Sequence, residues 1–196
     1  MIIVDKAVKR EAFKMTMSKI WNTKGWLEFS DMGENKFLIE FQKEEDRQKV
    51  TRGRSWSFDR WLVCLQEFEV DLSLNDVPFK NEVFWLQVHN MPLACMTQEV
   101  GVQIGKCPGT VLDVIVDQWG LGWGKFLRFK VEVDITKALV RGLFLNFDGN
   151  QIWLQFKYDR LQPFCFKCGI IKHVKKIYTK MTSVRSDQAD THQYGP

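Results

Sequence analysis

The chain has few of the features from which an enzyme, a secreted protein or a membrane protein is inferred. It contains 3 histidines, and no P-loop, nucleophile motif or catalytic pair of carboxylates is visible. No apolar run is long enough to span a bilayer, and Asp5 interrupts the first short one, so no signal peptide is predicted. The 5 cysteines are an odd number, which favours reduced thiols. We therefore expect a non-catalytic intracellular protein without a membrane partner, and the sequence does not distinguish nucleus from cytoplasm.

The composition nevertheless predicts a folded chain. At 196 residues, 45% hydrophobic and with 8 tryptophans, the chain can bury one large core or two small ones. The net charge of +4 is only mildly basic, so it permits an anionic partner without requiring one.

The most informative motif is formed by Cys165, Cys168 and His173. They fit the first three ligands of a CCHC zinc knuckle, C-x2-C-x4-H-x4-C, and Gly169 lets the backbone turn after the second cysteine. The fourth position falls on Tyr178, and no cysteine follows in the chain. The alternative is a chance C-x-x-C beside a lysine-rich segment.

Zinc binding is therefore predicted to be weak or absent. A structural zinc ion takes four ligands, and a phenol that titrates near pH ~10 is a poor substitute for a thiolate. Such a small unit depends on its metal, whose binding is worth roughly 10–16 kcal/mol in intact finger peptides. His192 could replace the missing ligand, although it lies far outside the usual spacing.

The first part of the chain predicts a small α+β unit. Its elements are helix 8–22, strands 26–29 and 36–42, helix 43–52, turn 55–59 and strand 61–70. This order is a ferredoxin-like plan without its opening strand. Residues 34–41 lack the aromatic pattern of an RNA-recognition strand, so no RNA binding is assigned to this sheet.

A second α+β unit follows a polar linker at 71–81. Its elements are helix 96–106 and strands 83–88, 110–116, 126–133, 143–147 and 152–156. Asp148-Gly149-Asn150 predicts a hairpin, and the glycines at 120–124 precede a strand rather than a nucleotide-binding helix. The predicted organisation is two ferredoxin-like units with antiparallel sheets at 1–70 and 82–160, a degenerate knuckle at 161–178 and a disordered tail at 179–196.

Basic and aromatic residues concentrate around the knuckle. Seven cations share the segment with Asp159 as the only acid; they are Lys157, Arg160, Lys167, Lys172, Lys175, Lys176 and Lys180. Positive charge suits phosphate contacts, and Phe164 and Phe166 could stack on unpaired bases. The alternative is that Phe164 closes the preceding sheet and the lysines only solvate a surface.

Three segments, together with the run into the knuckle, resemble a known plant family. Lys36–Phe41 with its following helix, Gly53–Asp59 and Phe84–Pro92 resemble the domain of unknown function 4283, and Trp153–Cys168 resembles the run into its CCHC knuckle. The resemblance covers roughly residues 8–178 and implies a protein related to the nucleic-acid-binding part of LINE-type retrotransposons. It implies no reverse transcriptase or nuclease. Tyr178 and the missing opening strand depart from the family pattern.

The sequence thus favours non-catalytic binding of nucleic acid, with single-stranded RNA or DNA preferred. One alternative is a protein–protein interaction module whose aromatic sheets bind a partner chain. Another is a non-functional retroelement remnant. Salt-dependent binding to an oligonucleotide favours the first hypothesis.

Overall fold

The computed structural model describes residues 8–67, 77, 79–165 and 168–171. The chain divides into two compact units, the first extending to Lys80 and the second running from Asn81 to Ile171. Both combine helices with antiparallel strands, which confirms the predicted α+β class. None of the helices in the described ranges is long and apolar enough to cross a bilayer. The predicted tail at 179–196 and most of the linker at 71–81 lie outside the described residues.

The first unit has two helices and two separate antiparallel hairpins. Its elements in chain order are α1 Arg10–Trp21, β1 Leu27–Asp31, β2 Phe37–Phe41, α2 Glu44–Arg52, β3 Trp56–Phe58 and β4 Trp61–Val63. β1 pairs with β2, and β3 pairs with β4. In a ferredoxin-like sheet the opening strand lies between these two pairs. The described part of the chain contains no such strand, and residues 1–7 lie outside it.

The prediction of a turn over residues 55–59 is wrong. Trp56–Phe58 is a strand, and the turn falls at Asp59 and Arg60, whose φ angles are 48° and 68°. The aromatic rings of Trp56 and Phe58 pack against the core of the unit, so these residues are held in a hairpin with β4. The polar residues around them suggested a turn two residues too early.

The core of the first unit is built on one face of α1. Phe13, Met17 and Trp21 recur every four residues and are almost completely buried. The Phe13 ring lies 4.7 Å from the Phe37 ring of β2, and the Trp21 ring stacks 5.9 Å from that of Phe29 in β1. The helix is therefore fixed to the β1–β2 hairpin by aromatic contacts on a single stripe.

A buried carboxylate joins α2 to the end of α1. Asp46 lies in the first turn of α2 and is 3% exposed. Its Oδ2 accepts hydrogen bonds from the backbone N–H of Gly25 and of Lys24, both at 2.9 Å. These bonds, led by that from Gly25, hold the pKa of Asp46 below its usual value.

The second unit contains a five-stranded antiparallel sheet in the order β6-β7-β5-β9-β8. Its elements in chain order are β5 Asn81–His89, α3 Gln98–Gly105, β6 Thr110–Ile115, β7 Leu127–Asp134, β8 Gly142–Phe147 and β9 Asn150–Tyr158. A 3₁₀ turn at Leu93–Cys95 precedes α3. Strands β6-β7-β5-β9 have the spatial order of a ferredoxin-like sheet. In that fold a second helix precedes the last strand along the chain, and here β8 occurs at that point of the sequence.

One face of this sheet is covered by α3. Gly101 and Gly105 of the helix face the sheet, and a Cβ at Gly101 would lie 2.9 Å from Cγ1 of Val114 and 3.0 Å from Cδ2 of Leu127. The side chains on this face are buried; those of the two central strands are Phe84, Leu86, Val88, Leu127, Phe129 and Val131. The residues that alternate with them point to the opposite face.

The predicted hairpin between β8 and β9 is confirmed. Phe147 pairs with Asn150, and the intervening Asp148 and Gly149 have φ angles of 50° and 74°. Two consecutive positive φ values are typical of the two-residue turn that matches the twist of antiparallel strands.

Candidate nucleic-acid interface

The first half of the predicted knuckle forms a hydrogen-bonded turn. The Gly169 N–H donates to the Cys165 carbonyl at 2.7 Å, and the Cys165 N–H donates to the Ile170 carbonyl at 3.0 Å. Gly169 has a φ of 73°, a conformation that only glycine adopts without strain. Gly169 therefore lets the backbone turn after the second cysteine, as the sequence predicts.

This turn is fastened to the body of the second unit. The Leu139 N–H donates to the Gly169 carbonyl at 2.9 Å, and Ala138 forms a β-bridge with Ile170. Ile171 is buried, with 6% of its surface exposed. The residues around Leu139 connect β7 to β8, so the described half of the knuckle is anchored to the segment that replaces a second helix.

The two cysteines fit half of a zinc site. Both are reduced and half-buried, and they lie at the two ends of the same turn. Burial raises the pKa of the Cys168 thiol, and the neighbouring Cys165 acts in the same direction. Two thiolates on one turn supply two of the four ligands of a tetrahedral site. Within the described residues no group of three metal-ligating side chains occurs, while His173 and Tyr178 lie outside them.

A notch of about 310 Å³ opens beside the knuckle turn. It lies where β8 begins at Gly142 while β9 continues to Tyr158, whose hydroxyl donates to the Val140 carbonyl at 2.9 Å. The wall includes two cationic side chains, Arg141 and Lys157, and four aromatic ones, among them Trp153 and Phe164. Arg141, Lys157 and Trp153 are exposed to solvent. We call this the Phe164 notch.

The structure brings some of the predicted site residues together, while others lie outside the residues that it describes. Phe164 lines the Phe164 notch together with Lys157 of the predicted basic cluster, and it directly precedes the turn that holds Cys165 and Cys168. Arg160 of the same cluster is exposed in the turn after β9 and does not line the notch. The other predicted residues lie outside the described ranges and stay predictions; they are Phe166, Lys167, Lys172, His173, Lys175, Lys176, Tyr178 and Lys180.

Sequence reasoning missed a second group of aromatic and cationic residues in this unit. Trp85 on β5 lies beneath two cations of β7: Arg128 Cζ is 4.6 Å and Lys130 Nζ is 5.6 Å from its ring centre. The signal was present in part, because from Phe84 onward the buried residues Phe84, Leu86 and Val88 alternate with less buried ones. That alternation puts Trp85 on the other face of the sheet.

Comparisons with known proteins identify two parts of the chain. Residues 3–76 match the family "Domain of unknown function (DUF4283)", and residues 133–180 match the family "Zinc knuckle". The predicted order, a domain of unknown function 4283 followed by a knuckle, is confirmed. The second match includes β8 and β9 as well as the knuckle turn that is anchored beside them.

An uncharacterized protein of Arabidopsis thaliana is 24% identical over 129 residues, which are 65% of this chain and 40% of that protein. The chain thus matches less than half the length of this relative. No solved structure matches the chain significantly.

Proposed function

We propose that this chain, which joins a DUF4283 domain to a zinc knuckle, binds single-stranded nucleic acid and catalyses no reaction. A zinc knuckle indicates nucleic-acid binding at a general level. The preference for single strands rests on the Phe164 notch, which combines exposed cations with aromatic rings beside the knuckle turn.

The chemistry of the Phe164 notch suits an unpaired nucleotide. Arg141 and Lys157 can contact phosphate oxygens, and Trp153 and Phe164 can stack on a base. A base inside a duplex is already stacked and paired, so only a single strand offers both partners without an unstacking cost. The preference for single strands follows from this difference.

The zinc knuckle would fix the position of Phe164 at the Phe164 notch. Cys165, Cys168 and His173 would bind a zinc ion, which would supply a structural cross-link rather than reactivity. Tyr178 stands at the fourth position, so we propose that this ion is held weakly. Phe164 directly precedes the first ligand, and the backbone of the turn is already fixed by Gly169 and Leu139.

The domain order also supports an origin in a LINE-type retroelement, which we propose as the source of the chain. A protein partner is the second candidate for function. The tryptophans of the β6–β7 connection favour it, because Trp119 and Trp123 are 75% and 68% exposed. Large exposed aromatic side chains are enriched at protein interfaces.

Fluorescence anisotropy with a labelled 12-nucleotide oligo(U), at several salt concentrations, tests the proposal. The double variant Arg141→Gln/Lys157→Gln should bind more weakly and with a flatter salt dependence than the parent chain. Lys106→Gln is the matched control, since Lys106 is exposed at the end of α3 and outside the Phe164 notch. Equal binding by the parent and the double variant would remove the notch as the site.

A further inference from the structure

The face of the five-stranded sheet opposite α3 carries a line of aromatic and cationic side chains. The register pairs Gln87 with Lys157 and His89 with Gln155, so β5 and β9 present these residues on the same face. β7 adds Arg128, which pairs with Gln87. This face is opposite to the buried side chains that α3 covers.

At one end of the line lies Trp85 with its two cations. Arg128 is placed over the ring by an ion pair to Asp159, at 2.5 Å. Its Nε is buried and has no hydrogen-bond partner within the described part of the chain. The Arg128 side chain is 41% exposed, so its guanidinium over the tryptophan ring offers a stacking surface for a base and terminal N–H groups for a phosphate.

At the other end lies an exposed aromatic pair. Phe144 of β8 is directly opposite Trp153 of β9, and their ring centres are 4.9 Å apart. Phe144 is 63% exposed and Trp153 is 42% exposed. Neither ring contributes to the buried core, so the fold alone does not account for two aromatic residues at these positions.

The two ends are separated by a distance that suits a short single strand. The Asp159 N–H donates to the Trp85 carbonyl at 2.8 Å, so Trp85 is level with position 159 of β9. Trp153 is six residues earlier on the same strand, which corresponds to about 20 Å at about 3.3 Å per residue. Lys157 lies between the two ends and is exposed.

From this arrangement we infer that the sheet face opposite α3, from Trp85 across Lys157 to Phe144, is a second binding track for single-stranded nucleic acid. Open antiparallel sheets of small α+β domains bind RNA by stacking two or three bases on their aromatic side chains. Cations on the track suit the phosphates of this occupant: Arg128 and Lys157 lie along it with Asp159, and the residues of β8 and β9 on this face include no other acid. Asp113, which is directly opposite Lys130, and Glu132 and Asp134 of β7 lie on the same face outside the track.

The inference rests on the proposed function but involves different residues. Phe144, Trp85 and Arg128 do not line the Phe164 notch, whereas Trp153 and Lys157 contribute to both surfaces. Trp85→Leu therefore tests the sheet track without changing the Phe164 notch, whereas Phe144→Ala also removes the ring that packs against Trp153 of the notch.

The test measures binding of labelled oligo(U) of 4, 8 and 12 nucleotides to the full chain carrying Phe144→Ala or Trp85→Leu. Each variant should weaken binding of the 12-mer about 5- to 150-fold, because stacking is worth about 1–3 kcal/mol per base. The salt dependence should stay unchanged, since no cation is removed. Trp119→Ala is the control, as its exposed ring lies in the β6–β7 connection and not on the sheet.

Phe144 is mostly exposed, so its variant keeps the test valid even where Trp85→Leu fails to fold. Parental affinity in Phe144→Ala and in folded Trp85→Leu, with a loss in Arg141→Gln/Lys157→Gln, would overturn the sheet track and leave the proposed function standing. Absence of oligonucleotide binding in the parent chain itself would overturn both.

Discussion

The Arg128 guanidinium lies over the Trp85 ring, with 4.6 Å between its Cζ and the ring centre, and its Nη2 donates to Asp159. This contact joins three strands of the sheet, because Arg128 is on β7, Trp85 on β5 and Asp159 directly follows β9. It combines a charge for phosphate and a flat surface for a base in one place on the sheet.

Replacing Arg128 with glutamine should therefore weaken both the contact with phosphate and the stacking on a base. We expect weaker binding of the 12-nucleotide oligo(U) and a salt slope that is less steep by about 0.7, the value for one phosphate contact on a single strand. Anisotropy titrations at four salt concentrations measure the slope. Lys106→Gln carries the same charge change away from the sheet face and should leave the slope unchanged. An unaltered slope in Arg128→Gln would show that Arg128 serves only the ion pair with Asp159.

Tyr178→Cys should create a tighter metal site. Cys165 and Cys168 already lie on one hydrogen-bonded turn, and the substitution would restore the fourth ligand of the knuckle spacing. Cobalt substitution should give a stronger thiolate–cobalt absorption in the variant than in the parent, and the parent should lose zinc on dialysis against a mild chelator. Tyr178→Ser, which adds no thiolate, is the control. A parent chain that keeps one zinc through dialysis would contradict this prediction.

Neutralising Lys172, Lys175 and Lys176 together should weaken single-strand binding. Three phosphate contacts would be lost, so the salt slope should become less steep by roughly 2. The triple variant to glutamine is compared with a triple variant to arginine, which keeps the charge. If both bind as the parent does, the basic segment after Cys168 takes no part in binding.

The ionised carboxylate of Asp46 should stabilise the first unit, so the free energy of unfolding should depend on pH. The folded-state pKa of Asp46 is lowered by the Gly25 and Lys24 N–H groups, so its carboxylate stabilises the fold above the unfolded value of about 3.9. That stabilisation disappears as the pH falls through the lower folded pKa. Urea unfolding of the parent and of Asp46→Asn should differ most at pH 5 and above, and the difference should shrink at lower pH.

The neighbouring Glu45→Gln is the control for this experiment. Glu45 is 79% exposed, and its ion pair to Lys24 spans 3.7 Å, so its loss should change stability by less than about 1 kcal/mol. A gap between parent and Asp46→Asn that stays constant down to pH 2 would show that ionisation of Asp46 does not stabilise the fold.

Much of the fold was predictable because local patterns and burial agree. The alternation in β2 and β7 and the Asp148-Gly149 turn predicted their elements closely. Asp46 was not predictable as buried, because its amide partners lie more than twenty residues earlier in the chain. The hairpin at Trp56 was missed because aromatic contacts with a distant core decided it.

The residues of the candidate site also divide into those that a local pattern predicts and those that only the folded sheet brings together. The spacing of Cys165, Cys168 and Gly169 revealed the knuckle turn, since its ligands are local in sequence. The Phe164 notch and the Trp85 surface are formed by strands that are neighbours only in the folded sheet, as with Trp85 and Asp159. No spacing rule within one segment brings such residues together, although alternation indicates which of them point away from the core.

The most direct measurement is a salt titration of the parent chain with labelled 12-nucleotide oligo(U) and with a duplex of the same length. The proposal predicts saturable binding of the single strand that weakens linearly in log Kd with log salt, together with weaker binding of the duplex. A stacking contribution should keep part of the single-strand affinity at high salt. No measurable binding of the single strand at low salt, or tighter binding of the duplex, would contradict the proposed function.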